Sequence, residues 1–208
     1  MTDSLLPFLG FALAASATPG PNNLLALATG AAWGARACVP LSLGVASGFG
    51  FMVAIIGVGL ASPLTSHPEA ATAIRWAGSL WLLWLAWKIA AGGAPDGARA
   101  AKPHPGLPRG GRSRPVGFWS AFVLQWVNPK GWVMAVATAT TYAAGAARPA
   151  LHALLLGALF ALIGLHTMGA WSAMGAGTAR LLTSPRRWRA FNITMGALLA
   201  ASVLPELL

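Results

Sequence analysis

The chain has 208 residues, 56% of them hydrophobic and 9% charged, with a mean hydropathy of +0.65. That balance excludes an ordinary soluble globule, whose surface would have to be far more polar. The formal net charge of +10 would suit a nucleic-acid partner, but the placement of the charges, described below, excludes that reading as well.

Six apolar runs recur along the chain, at residues 5–32, 38–61, 70–91, 116–142, 150–174 and 191–204. A span needs roughly 20 apolar residues to cross a hydrocarbon core of about 30 Å. The last run is the shortest. The first opens with no Lys or Arg and runs on past the small residues Ala15, Ser16 and Ala17, so a span is expected there rather than a cleaved signal peptide.

Helix-breaking residues interrupt that first run at Thr18, Pro19, Gly20, Pro21, Asn22 and Asn23. A proline has no N–H and its ring crowds the carbonyl four residues back. Pro19 and Pro21 are therefore expected to free the carbonyls of Ala15 and Ala17. Unpaired backbone of this kind is tolerated in a bilayer only where protein or a water-filled cavity lies against it. Gly20-Pro21 reads as an N-cap followed by the first helical residue, with Asn22 or Asn23 as alternative caps. The pairs Gly30/Gly34 and Gly44/Gly48 have the small-xxx-small spacing that lets helices approach closely. Cys38, the single cysteine, excludes an internal disulfide and reads as a small core residue.

After the third run comes the one linker-like stretch, "GGAPDGARAAKPHPGLPRGGRSRP", between Gly92 and Pro115. It divides the chain into 1–91, 92–115 and 116–208, with three runs on either side. Three is odd, so the second half must enter the membrane from the opposite side, which is the signature of inverted-topology repeats. Eleven of the fourteen Lys and Arg residues lie in or beside the connections after the first, third and fifth runs. By the positive-inside rule those connections are cytoplasmic and both termini face outward. A re-entrant first segment, with five true spans and a cytoplasmic N-terminus, fits the same charges. The basic loops are expected to touch anionic lipid, and no nucleic-acid partner is expected.

The fourth run carries a second interruption, "LQWVNPKGW", from Leu124 to Trp132. Asn128-Pro129 again reads as N-cap and first helical residue, and Pro129 is expected to free the Gln125 carbonyl. Two half-helix N-termini would then meet, their free N–H groups suiting a carboxylate. Released carbonyls suit an ammonium, so a zwitterion satisfies both. Lys130 stands at the second helical position, where a cation opposes the macrodipole, and near mid-bilayer, where insertion costs about 3 kcal/mol. A negatively charged ligand group would compensate it, and a snorkelling or carbonyl-bonded structural lysine is the plainer reading. Trp126 and Trp132 flank this break as cavity wall or as packing.

In the fifth run, His166 is a proton-coupling candidate, histidine being the side-chain type suited to proton exchange at physiological pH, set against a structural histidine bonded to a neighbouring helix. Trp76, Trp87, Trp119 and Trp188 fall near span ends and read as interfacial anchors.

The stretches "ATPGPNNLLALATGAAWGAR", "LGVASGFGF", "WAGSLWLLWLAWKIA" and "SAFVLQWVNPKGWVMA" resemble the LysE/RhtB family of amino-acid exporters, most closely its cysteine/O-acetylserine branch. The resemblance implies a bacterial inner-membrane carrier that moves small amino acids out of the cytoplasm, driven by the proton gradient. Relatives that export basic amino acids carry an aspartate where this chain has Phe49, and all four acidic residues here lie at edges or in loops, so neutral substrates are favoured.

The expectation is an all-α membrane protein of six transmembrane helices in a 3+3 inverted repeat, with the first and fourth broken. Its substrate site comprises Pro19, Gly20, Pro21, Asn22, Asn23, Gln125, Asn128, Pro129 and Lys130. No cofactor and no metal is expected, and no nucleophile, carboxylate pair or metal cluster marks an enzyme. The partners are a small amino acid and membrane lipid. A homo-oligomer is left open, as is a passive channel or membrane assembly protein.

Overall fold

A computed structural model of the chain describes residues 2–60, 68–93, 115–143 and 148–203. Eight α-helices lie among them, with no strand: α1 (Thr2–Ala17), α2 (Pro21–Trp33), α3 (Val39–Ile55), α4 (Pro68–Ala90), α5 (Phe118–Trp126), α6 (Pro129–Thr138), α7 (Pro149–Ala179) and α8 (Pro185–Ala201). Most of the basic linker, 94–114, lies outside the described residues.

Local chemistry sets the boundaries. The first and fourth apolar runs are each split where the prolines stand, into α1 with α2 and α5 with α6. Gly20 is extended at φ −168° and ψ −179°, and Pro21 follows as the first helical residue. Asn128 precedes Pro129 in the same way, at φ −89° and ψ 108°. α2 stops at Gly34, whose φ of +84° lies in the region that favours glycine. α8 starts at Ser184, whose hydroxyl accepts a bond from the Arg187 N–H at 3.3 Å.

Small residues decide which helices touch. α3 packs on α7 and on α5, α2 packs on α7, and α4 packs on α8. A Cβ at Gly30 would overlap the Ser172 carbonyl, and one at Gly175 would overlap that of Leu27. Gly44 and Gly48 stand likewise against Phe118 and Phe122. The expected close approach therefore holds at Gly30, Gly44 and Gly48. At Gly34 it does not, because that residue caps a helix and faces open space.

Apolar side chains also cover the outside. Leu6, Leu13, Leu80, Trp87, Trp119, Val133, Leu154 and Leu162 are among those more than half exposed. Two continuous helical stretches, Ala35–Gly59 and Pro149–Ala179, have the length and hydropathy to cross a bilayer, and only 28% of the second's most apolar window is buried. A core helix of a soluble protein would be covered, so this exterior is consistent with a helical membrane protein. Two side chains depart from or confirm the expected pattern. Trp188 is buried against Phe191 rather than anchored at an interface, because α8 turns that face toward its neighbours. Cys38 is buried and free.

Candidate functional site

The two helix breaks meet. Asn22, at the second position of α2, donates from Nδ2 to Gln125 Oε1 at 2.8 Å, and Gln125 Nε2 returns a longer bond to Asn22 Oδ1 at 3.4 Å. Gln125 Nε2 also donates to the Ala121 carbonyl at 2.9 Å, and the residue is fully buried. Lys130, at the second position of α6, reaches back across the gap and donates from Nζ to the Thr18 carbonyl at 3.2 Å. It passes directly over Gly20, where an added Cβ would lie 3.1 Å from Nζ. Gly20 thus serves two needs, an extended backbone and room for the lysine.

The irregular backbone is satisfied differently from the expectation. Asn22 and Asn23 do not cap α2; they sit inside its first turn, and no side chain caps it. Asn23 instead turns back and donates from Nδ2 to the carbonyls of Ser16 at 2.8 Å and Thr18 at 2.9 Å. These are the break's oxygens that accept from that side chain. At the second break the Gln125 carbonyl is not released. The chain tightens there, so that Val127 N bonds Leu124 O and Asn128 N bonds Gln125 O, each at 3.3 Å. α4 shelters this turn, since a Cβ at Gly78 would overlap the Val127 carbonyl.

Between the breaks lies a cavity of about 60 Å³. At roughly 10–15 Å³ per water, that is space for about four to six waters, the scale of a small amino acid. Gly20, Pro21, Asn22, Asn23, Gln125, Asn128 and Lys130 line it, seven of the nine residues expected at the site. Pro19 is exposed and Pro129 buried, and neither lines the cavity; their part is to break the helices. Among the described residues Lys130 is the one charged residue in the lining, and no acidic residue joins it. Both half-helices lack a capping side chain, so among the described residues no cap takes up the N–H groups of Asn22, Asn23, Lys130 and Gly131, at two positive helix ends beside the same cavity.

Of the further wall residues on α3, α6 and α7, only Phe49 was singled out in the sequence. α3 supplies Val45, Ala46 and Phe49, and α7 supplies Phe160, Gly164, Thr167 and Met168, with Met134 from α6. The spacing of Phe160, Gly164, Thr167 and Met168 is helical and was the available signal. Phe49 and Phe160 meet edge to face at 5.0 Å. His166 lies on the other side of α7. Its ring is exposed, with Nδ1 2.8 Å from the Leu162 carbonyl of its own helix, and it does not reach the cavity. Trp126 and Trp132 pack on each other, Trp132 Nε1 donating to the Trp126 carbonyl at 2.8 Å, and stay outside the lining.

Comparison with known proteins gives a consistent pattern. The family model described as LysE type translocator matches residues 13–202. The cysteine/O-acetylserine efflux protein of Escherichia coli (strain K12) is 30% identical over 201 residues, 96% of this chain and 95% of that one. The protein of the same description from Salmonella typhimurium (strain LT2) is 33% identical over 177 residues, 84% of each chain. No solved structure matches significantly.

Proposed function

Because the chain belongs to the LysE type translocator family, we propose that it is a secondary transporter exporting small neutral amino acids from the cytoplasm across the bacterial inner membrane. Its substrates are of the cysteine and O-acetylserine kind, extending to serine, threonine and homoserine. The observation that carries this reading is Lys130, which bridges both helix breaks over a small cavity holding no other charge.

The chemistry follows from the lining. A substrate carboxylate takes the place of the Thr18 carbonyl at Lys130 Nζ, and the free N–H groups of the two helix starts add to its stabilisation. With no carboxylate in the lining, a cationic side chain or a divalent metal has no counter-charge there, which favours neutral substrates. The aromatic and thioether wall leaves room for a short side chain only. Proton antiport belongs to the same proposal. Lys130, the ionisable group of the lining, is better placed for it than His166, whose exposed ring faces away.

We place the chain in the membrane as six spans in a 3+3 inverted repeat, 1–91 and 116–208, with the 92–115 linker cytoplasmic. Packing by whole span supports the pairing: first with fifth and fourth with second, second with fifth, third with sixth.

Vesicles reconstituted with the protein and preloaded with labelled cysteine, O-acetylserine, serine or threonine test the assignment. Saturable, gradient-dependent efflux is expected. Lys130→Ala and Asn128→Ala should each lower it at least about 100-fold, the loss of a charge-assisted contact together with its orientation, at unchanged abundance and insertion. Unchanged efflux in either variant refutes the site, and non-saturable flux identifies a passive channel instead.

A further inference from the structure

Three buried polar side-chain atoms have no partner among the described residues: Ser79 Oγ, Asn128 Oδ1 and Trp188 Nε1. Of these residues only Asn128 lines the cavity, and it is 3% exposed. A buried oxygen with nothing donating to it is costly and uncommon. Its position makes the vacancy stranger. Asn128 is the N-cap of α6, and asparagine there ordinarily accepts from an N–H of the first turn, yet no side-chain cap forms.

Several other oxygens near the breaks are engaged. Ser16 and Thr18 carbonyls accept from Asn23 Nδ2, and Thr18 from Lys130 as well. The Gln125 carbonyl accepts from Asn128 N, and its side-chain oxygen from Asn22. We infer that Asn128 Oδ1 is the acceptor for the α-ammonium of the bound amino acid, so that Asn128 and Lys130, two residues apart, fix the ligand's two charged ends. This rests on the proposed function and adds the orientation to it. An ammonium brings three donors and a charge, so one of them fills the empty acceptor with a charge-assisted bond. With the carboxylate on Lys130 and the ammonium on Asn128, the side chain is directed to the apolar wall of Val45, Phe49, Phe160 and Met168. The main-chain carbonyls of Ser16 and Thr18 are left to stabilise the first break, and that of Gln125 the second.

Binding to the purified protein under reducing conditions, by calorimetry, tests this with cysteine, its des-amino analogue 3-mercaptopropionate and its des-carboxy analogue cysteamine. Wild type should bind 3-mercaptopropionate about 10- to 100-fold more weakly than cysteine. Asn128→Leu should erase that gap by weakening cysteine alone, while Asn128→Asp, which keeps an acceptor, should retain it. Lys130→Gln should instead erase the gap between cysteine and cysteamine. Equal binding of cysteine and 3-mercaptopropionate by wild type overturns the orientation and leaves the transport assignment standing, whether or not any variant folds. A gap that survives in Asn128→Leu, or an equal loss of both ligands there, also overturns it. Failure of wild type to bind any of the panel, with serine and threonine added, sinks the substrate assignment and the orientation with it.

Discussion

Lys130 and Gly20 show how much one pair of residues settles. A lysine at a helix N-terminus opposes the macrodipole, and here it is half-buried and bonded to the far break rather than to solvent. The plainer reading of a carbonyl-bonded lysine is thus met in this state, and the functional reading needs only an exchange of one oxygen for another. The Asn22–Gln125 bridge is the second tie between the breaks. Cutting it on one side leaves a buried amide unpaired. Asn22→Ala and Gln125→Ala are each expected to destabilise the protein by about 1–3 kcal/mol. The double variant should cost less than their sum by about 1 kcal/mol or more, as residues in contact couple. Denaturation in detergent measures this, and strict additivity would mean that the bridge carries no energy.

At the scale of the element, the breaks were legible because proline and glycine act locally: Pro21 and Pro129 fix the start of a helix whatever surrounds it. The bonds that tie the breaks together were not legible, since Asn22 and Gln125 lie 103 residues apart and nothing in either neighbourhood names the other. Phe49 apart, the inner faces of α3 and α7 were hidden for a different reason. Both helices are apolar all round, so no polar stripe marks which side faces lipid, and His166 was read as interior although its ring points outward. Freed carbonyls were misassigned at Gln125 because a break can tighten into shorter-range bonds instead of opening. Close packing at the second break gives a prediction of its own. Gly78→Val forces α4 away from the Val127 carbonyl and should cost about 1–3 kcal/mol, seen as a lowered melting temperature in detergent. The same change at Gly169, which faces open space, should leave that temperature nearly unchanged.

Across the whole molecule, two breaks that are far apart in sequence close one small cavity with a single charge in its wall, and an apolar outer surface surrounds them. Charge placement along the chain sets the proposed orientation. A reporter at Gly106→Cys, in the linker proposed to be cytoplasmic, should resist impermeant thiol reagents added outside intact cells and react after permeabilisation; Cys38 is buried and should not interfere. Labelling of intact cells would reverse the topology.

Two broken helices are proposed to share one amino-acid site, and the structure of the purified protein with cysteine bound tests that most directly. The expected result is ligand density between Lys130 and Asn128, with the chain unwound at residues 18–20 and 127–128. A continuous helix through either segment, or a ligand seated elsewhere, would contradict it.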